Sequence, residues 1–336
     1  MKQLIYFFAL LILLVNSCTQ KSNHKQLVLE TTVDTTVLKD TLPVEPVITI
    51  SLKKELLYDK YTLLDTYPYK DTVRHFQWDQ VEKLLKTIEK AQLTPTWWGV
   101  VRNRQNINGE AELTQDAKRN RYGNMEDEFG VERFQSAPLF NPGDTVTPIR
   151  YAEDGSLLRV IKDTDSSAFL LVEHVYIGGE WMVPKKFVKL ISDTVTFSQV
   201  VFVDRTNQNI AAIEKKSQGE WLIRSMNPAT TGVKRPPYQH ETPLGIFVVQ
   251  EKKVKMYFLV DGTNEIAGYS PHASRFSNGG YIHGIPVNYP RQAIIEYSNT
   301  LGTIPRSHKC VRNASSHAEF IFNWAPTEQS LVVVIE

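Results

Sequence analysis

From about residue 137 to the C-terminus the chain is a succession of short apolar, β-branched runs cut apart by turn residues. That punctuation leaves room for little but sheets. Residues 145–149, 157–161, 169–175 and 181–183 read as strands, separated by Asp154-Gly155, Asp163 to Ser167 and Gly178-Gly179. Strand-like runs resume at 200–203, 221–223, 245–249, 255–260 and 331–335, with no internal repeat. The clear helical period lies upstream. Val81, Leu84, Leu85 and Ile88 recur at i, i+3, i+4 and i+7, with Glu82, Lys83, Lys86, Glu89 and Lys90 on the opposite face. This predicts a helix packed on its own domain, and core packing is also the expectation for Trp97-Trp98. A chain of 336 residues is long enough for two or three domains.

The first segment is read as an address. Met1-Lys2-Gln3 precedes an unbroken apolar run from Leu4 to Val15, too short to span a ~30 Å hydrocarbon layer as a helix. Val15-Asn16-Ser17-Cys18 follows and resembles a bacterial lipobox. The resemblance implies a signal peptide over 1–17, lipidation of Cys18, export, and attachment to a bacterial membrane through that lipid, facing the periplasm or cell wall. Residues 18–50, rich in Thr, Val, Lys, Asp and Pro without helical period, read as a flexible tether.

Composition closes off several classes. Lys+Arg total 38 against 37 Asp+Glu, so the chain has no electrostatic footprint for nucleic acid. With 2 cysteines, Cys18 and Cys310, a disulfide framework is excluded. If Cys18 carries lipid, Cys310 is the one remaining thiol, either a buried filler or a group kept free to react.

Residues 137–192, opening with Asn141-Pro142-Gly143-Asp144 and closing with Gly179-Glu180-Trp181-Met182-Val183-Pro184, are similar to the small bacterial barrels of the Src-homology type. Residues 51–136 are expected as a mixed, partly helical region. Three segments of 197–336 belong together: Glu241-Thr242-Pro243-Leu244-Gly245-Ile246-Phe247, then Tyr281-Ile282-His283-Gly284, then Ser307-His308-Lys309-Cys310-Val311-Arg312-Asn313. Together they resemble the catalytic domain of the L,D-transpeptidases, cysteine enzymes that cross-link peptidoglycan. The resemblance implies a β-sandwich catalytic domain, no cofactor, no metal, and peptidoglycan stem peptides as partners. It matches Cys310 to the nucleophile, His283 to the imidazole that activates it, and Gly284 to the residue whose carbonyl orients that imidazole. Activation is expected through thiolate formation beside the imidazole. Ser307, His308, Lys309, Arg312 and Tyr281 are candidates for oxyanion or substrate contacts.

Two departures stand out. Lys309 occupies a position where the family has Gly; the expectation is a negative φ there, with the ammonium near the thiolate. The gap from His283 to Cys310 is long, and residues 289–301 are expected to lie over the cleft as an insertion. On an extended segment i and i+2 share a face, so His308 and Arg312 flank Cys310; His308 reads as structural, and Arg312 as a carboxylate ligand or an ion-pair partner. His317, in Ser316-His317-Ala318-Glu319, reads as a surface residue in a capping box; His272 reads as structural.

Rival readings are separable. A papain-like endopeptidase places its cysteine well before its histidine, the reverse of the order here. A metallopeptidase built on His283, His308 and Cys310 lacks an HExxH helix. Within the resemblance, hydrolysis as an L,D-carboxypeptidase and silent peptidoglycan binding remain alternatives to transpeptidation.

Overall fold

Val200-Val201-Phe202-Val203 is apolar at every position because both faces of its strand are covered. The computed structural model describes residues 48–163 and 166–336. Strand Gln199–Asp204 lies inside a six-stranded sheet, ordered Ser51–Lys54, Glu220–Pro228, Asn209–Ser217, Gln199–Asp204, Ser330–Ile335, Gly245–Val248. Gln199–Asp204 and Ser330–Ile335 run parallel, with Val201 opposite Val332. Successive side chains then go to opposite cores. Val200, Phe202, Leu331 and Val333 join Val81, Leu85 and Ile88 of helix α1 (Trp78–Ala91). Val201, Val203, Val332 and Val334 join Phe276, Ile282, Val311 and Ile321. Each such side chain contributes roughly 1.5–3 kcal/mol by leaving water.

The second core is closed by another sheet, ordered Glu251–Leu259, Ile266–Arg275, Tyr281–His283, Val311–Arg312, and by helix α2 (Ser315–Trp324). This two-sheet body holds all three motif segments, and the fold is mainly β as expected.

A smaller five-stranded sheet runs Glu180–Pro184, Phe169–His174, Leu157–Lys162, Trp98–Val101, Val188–Ile191, with hairpin Ser136–Leu139/Arg150–Glu153 beside it. It has its own core of Val101, Leu139, Leu158, Leu170, Val172, Val183 and Phe187. Residues 51–136 are shared between the sheets: Ser51–Lys54 pairs in parallel with Glu220–Pro228, and Trp98–Val101 sits between two strands of the smaller sheet. The chain joins the fold by Ile48, which is buried, with Ile50 packed on the same core. The signal peptide, Cys18 and the tether up to residue 47 lie outside the described residues. Among the described residues no helix is long and apolar enough to cross a membrane.

The junction of the small sheet with the two-sheet body is polar and buried. The Arg275 guanidinium donates to Asp154 Oδ2 at 2.6 Å and to Gln250 Oε1 at 3.0 Å, while Asp154 Oδ1 accepts the Asn103 and Arg104 N–H groups. Gly155 is obligatory beside them, since a Cβ there would lie 1.9 Å from the Phe276 carbonyl oxygen. The Asp154-Gly155 turn is therefore the clamp between two sheets.

Several local expectations are corrected. Residues 145–149 form no strand: Asp144 Oδ1 accepts the Val146 N–H at 2.8 Å, closing a turn, and the strand is Arg150–Glu153. Glu89 leaves the polar face of α1 and is buried, accepting Trp221 Nε1–H at 2.7 Å and the Gly219 N–H at 3.0 Å. Trp98 is core but its neighbour Trp97, just ahead of strand Trp98–Val101, is 51% exposed. His317 is fully buried against Ser225 Oγ (2.9 Å), and α2 begins at Ser315 after Ala314, without a capping box. Residues 289–301 do not cover the cleft. They wrap the start of α2, where the Glu296 and Ile295 carbonyls take the Ser315 N–H and Oγ–H, and Ile295 and Tyr297 pack on Ile285 and Leu301.

Candidate active site

Strand Tyr281–His283 runs parallel to Val311–Arg312, with Ile282 opposite Val311 and His283 opposite Arg312. That register joins the second and third motifs edge to edge. The first motif supports them from behind: Thr242, fully buried, donates its Oγ1–H to the Lys309 carbonyl at 2.8 Å and accepts the Gly232 N–H at 2.9 Å. Ser307 ties the turn from within, its Oγ donating to the Cys310 carbonyl at 2.6 Å and accepting the Lys309 N–H at 3.3 Å. The Lys309 N–H is thereby already engaged, rather than open to an oxyanion.

Lys309 has φ 154°, against the expected negative φ, in backbone space that favours glycine. Its side chain also leaves the thiol's side of the turn and donates to Asn278 Oδ1 at 2.7 Å. Here the parity argument decides the outcome. His308, Cys310 and Arg312 all line one cleft of about 590 Å³, while Lys309 between them lines a different cavity.

The cleft is roofed by Met256–Thr263 from the tip of hairpin Glu251–Leu259/Ile266–Arg275, and by Tyr238. Gly262 is required at that tip, where it turns at φ 76° and a Cβ would meet the Tyr238 hydroxyl at 2.7 Å. His308 Nε2 lies 3.0 Å from Asp261 Oδ1 at the same tip. This contact ties the hairpin tip to the Cys310 turn. His283 sits on the cleft wall, and its Nδ1 lies 2.6 Å from the Gly284 carbonyl. A carbonyl can only accept, so Nδ1 carries the hydrogen and Nε2 keeps the lone pair. Gly284 also admits α2: a Cβ there would lie 2.6 Å from Ser315 Oγ and 2.9 Å from Pro271 Cγ.

The electrostatics favour neutral groups at rest. Burial pushes the Cys310 thiol up, opposed more weakly by the Tyr281 backbone N–H, by Arg312 and, least, by Lys309. Burial pulls His283 down to about 4, the Gly284 carbonyl opposing and Arg312 reinforcing. Both shifts work against the expected standing thiolate–imidazolium pair in the resting site. The thiol points its hydrogen at the Gly279 carbonyl, 3.5 Å away.

Arg312 is the cation at this centre. Its guanidinium has no carboxylate partner among the described residues, and its Nε is buried without a hydrogen bond. Tyr281 contributes its backbone here rather than its ring, since its hydroxyl reaches Glu251 Oε2 at 3.3 Å. Sequence reasoning missed Asp261, Tyr238 and Asn278. The turn sequence Asn278-Gly279-Gly280 just ahead of Tyr281 was the available signal; nothing in the sequence marks the other two.

An L,D-transpeptidase from Mycobacterium smegmatis is similar over 53% of this chain and 82% of its own, at 18% identity and TM-score 0.33. One from Mycobacterium tuberculosis is similar over 60% and 77%, at 18% identity and TM-score 0.32. A fused Zn-dependent amidase/peptidase/peptidoglycan-binding protein from Clostridium acetobutylicum is similar over 42% of this chain and 53% of its own, at 18% identity and TM-score 0.31, so the chain spans about half of that protein. Among curated proteins none matches. Residues 198–335 contain the two packed sheets apart from edge strand Ser51–Lys54, together with Cys310 and His283. Residues 198–335 of this chain match the YkuD family model, the L,D-transpeptidase catalytic domain.

Proposed function

We propose that the protein acylates Cys310 with the stem tetrapeptide of peptidoglycan and passes that acyl group to an amine. The reading is carried by one observation: Cys310 and a His283 whose Nδ1–H is spent on Gly284 open onto the same cleft. In the acylation step the sulfur attacks the amide carbonyl and the thiol proton goes to His283 Nε2. The C–N bond then breaks as the same proton passes to the leaving amine, leaving a thioester. In the second step an acceptor amine attacks the thioester, a C–N bond forms, the C–S bond breaks, and a proton returns to the sulfur. The Tyr281 backbone N–H, turned toward the sulfur, stabilises negative charge as it develops there. Arg312, lacking a carboxylate partner, is suited to a carboxylate of the stem peptide. Export and attachment through a lipidated Cys18 complete the proposal and are read by incorporation of labelled palmitate, lost in Cys18→Ala.

The test is acylation by a carbapenem, weighed on the intact protein. A single adduct on Cys310, absent in Cys310→Ala, is expected, together with loss of turnover on tetrapeptide muropeptides by several orders of magnitude. Turnover close to wild type in Cys310→Ala overturns the assignment. Products separate the outcomes: amide formation with an added amine means transpeptidation, release of free acid means carboxypeptidase action, and no adduct means a silent binder.

A further inference from the structure

Behind the catalytic turn lies a second cavity of about 430 Å³, between the small sheet and the two-sheet body. Its walls carry ten charged or imidazole side chains, and most of them are paired within the protein. Arg205 bridges Glu241 and Glu336 at 3.3 and 3.7 Å, and Glu132 accepts from Asn124 Nδ2 at 3.1 Å with His240 Nδ1 at 3.9 Å. Three are not. The Arg150 guanidinium lies 3.6 Å over the Phe129 ring, its Nε buried without a hydrogen bond; it makes no ion pair among the described residues, the nearby Asp127 and Glu128 charges only favouring its charged form. Lys234, an exposed residue of the lining, sits 5.7 Å over the Tyr122 ring and makes no ion pair among the described residues. Glu153 has no hydrogen-bond partner for its carboxyl among the described residues, and burial pushes it up to about 7, with Lys309 opposing.

For Arg150 and Glu153, which are only partly exposed, a charge held on the cavity wall without an ion pair is costly unless something completes it. Unpaired cations and an unpaired carboxyl in one space call for a ligand bearing both signs, and its volume is in the range of small-molecule sites. We propose that this cavity binds a short zwitterionic peptide, with the carboxylate held by Arg150 and Lys234 and the ammonium by Glu153. The site is distinct from the Cys310 cleft and does not depend on the assignment of that thiol.

The test uses the full chain with Cys310 alkylated, which separates this proposal from the catalytic one, and alanylalanine as the probe. In ¹H–¹⁵N spectra alanylalanine should shift the amides of Gly130, Ala152 and Gly245 saturably, and those lining the Cys310 cleft little. N-acetyl-alanylalanine lacks the ammonium and alanylalaninamide lacks the carboxylate; each should bind about tenfold more weakly, the loss of one charged contact worth roughly 1.4 kcal/mol. Glu153→Gln should weaken alanylalanine by a similar factor while leaving the acetylated peptide unchanged. Arg150→Gln should do the same with the amide unchanged. Absence of saturable shifts, shifts confined to the Cys310 cleft, or equal affinity for all three peptides overturns the proposal. So does a variant that weakens every peptide alike. The comparison of three peptides on the unmutated chain stands even where a variant fails to fold.

Discussion

Lys309 shows how much one backbone angle settles. At φ 154° a side chain is carried where the family has none, and strand parity sends it away from the thiol to Asn278. Lys309→Gly should raise stability by about 1 kcal/mol, because the strained conformation is then free of a Cβ. Urea unfolding measures this. Iodoacetamide alkylation of Cys310 should change less than about threefold, since Lys309 is the weakest of the influences on that thiol. A larger slowing would mean that the ammonium does support the thiolate. His283 has the opposite leverage. With its Nε2 the free base, His283→Ala should slow acylation by about 10²–10⁴ at pH 7, whereas His308→Ala should act mildly, through the Asp261 contact at the hairpin tip. Because burial raises the thiol above its usual 9.0, alkylation of the wild type should keep rising with pH beyond 9. A plateau near neutral pH would restore the preformed thiolate.

Helix α1 is the element whose sequence pattern and packing agree most fully, and its exception is instructive. Val81, Leu85 and Ile88 face the six-stranded sheet as their spacing requires. Glu89, next to Ile88, is carried to the rim of that face, where the Trp221 indole N–H, the Gly219 N–H and Lys215 Nζ at 3.5 Å satisfy its carboxylate. Glu89→Ala leaves those donors buried and unmet and should cost about 2–4 kcal/mol in denaturant unfolding. A cost under about 0.5 kcal/mol would show that water replaces the carboxylate. The hairpin over the cleft is the complementary case. Tyr257, Leu259 and Val260 leave apolar surface exposed beside Cys310, as suits an element that meets substrate rather than core.

At the scale of the whole molecule, three histidines are stored neutral in the interior: burial pulls His174 and His283 to about 4 and His317 to about 3. Below pH 6.5 the unfolded chain takes up protons that the native state refuses, so stability is full above 6.5 and falls as pH drops toward 4. Each group contributes about 3 kcal/mol to that loss, and His317→Gln should flatten the fall in melting temperature between pH 6.5 and 4.5. An unchanged slope would mean that His317 is protonated in the fold. What the sequence determined by itself was local or periodic: the sheets, from apolar runs between turns; α1, from its repeat; and the segments bearing Cys310 and His283, from residue types at short spacing. Even the cleft-facing set His308, Cys310 and Arg312 was legible, because strand alternation is a property of the backbone alone. Tertiary structure alone decided the rest. Nothing near residue 51 announces an edge strand pairing with residue 220, and nothing near Asp154 announces Arg275, because such partners are set by how sheets stack rather than by neighbours in the chain. The opposed shifts of Cys310 and His283 were likewise out of reach, since they follow from burial, and burial belongs to the assembled fold.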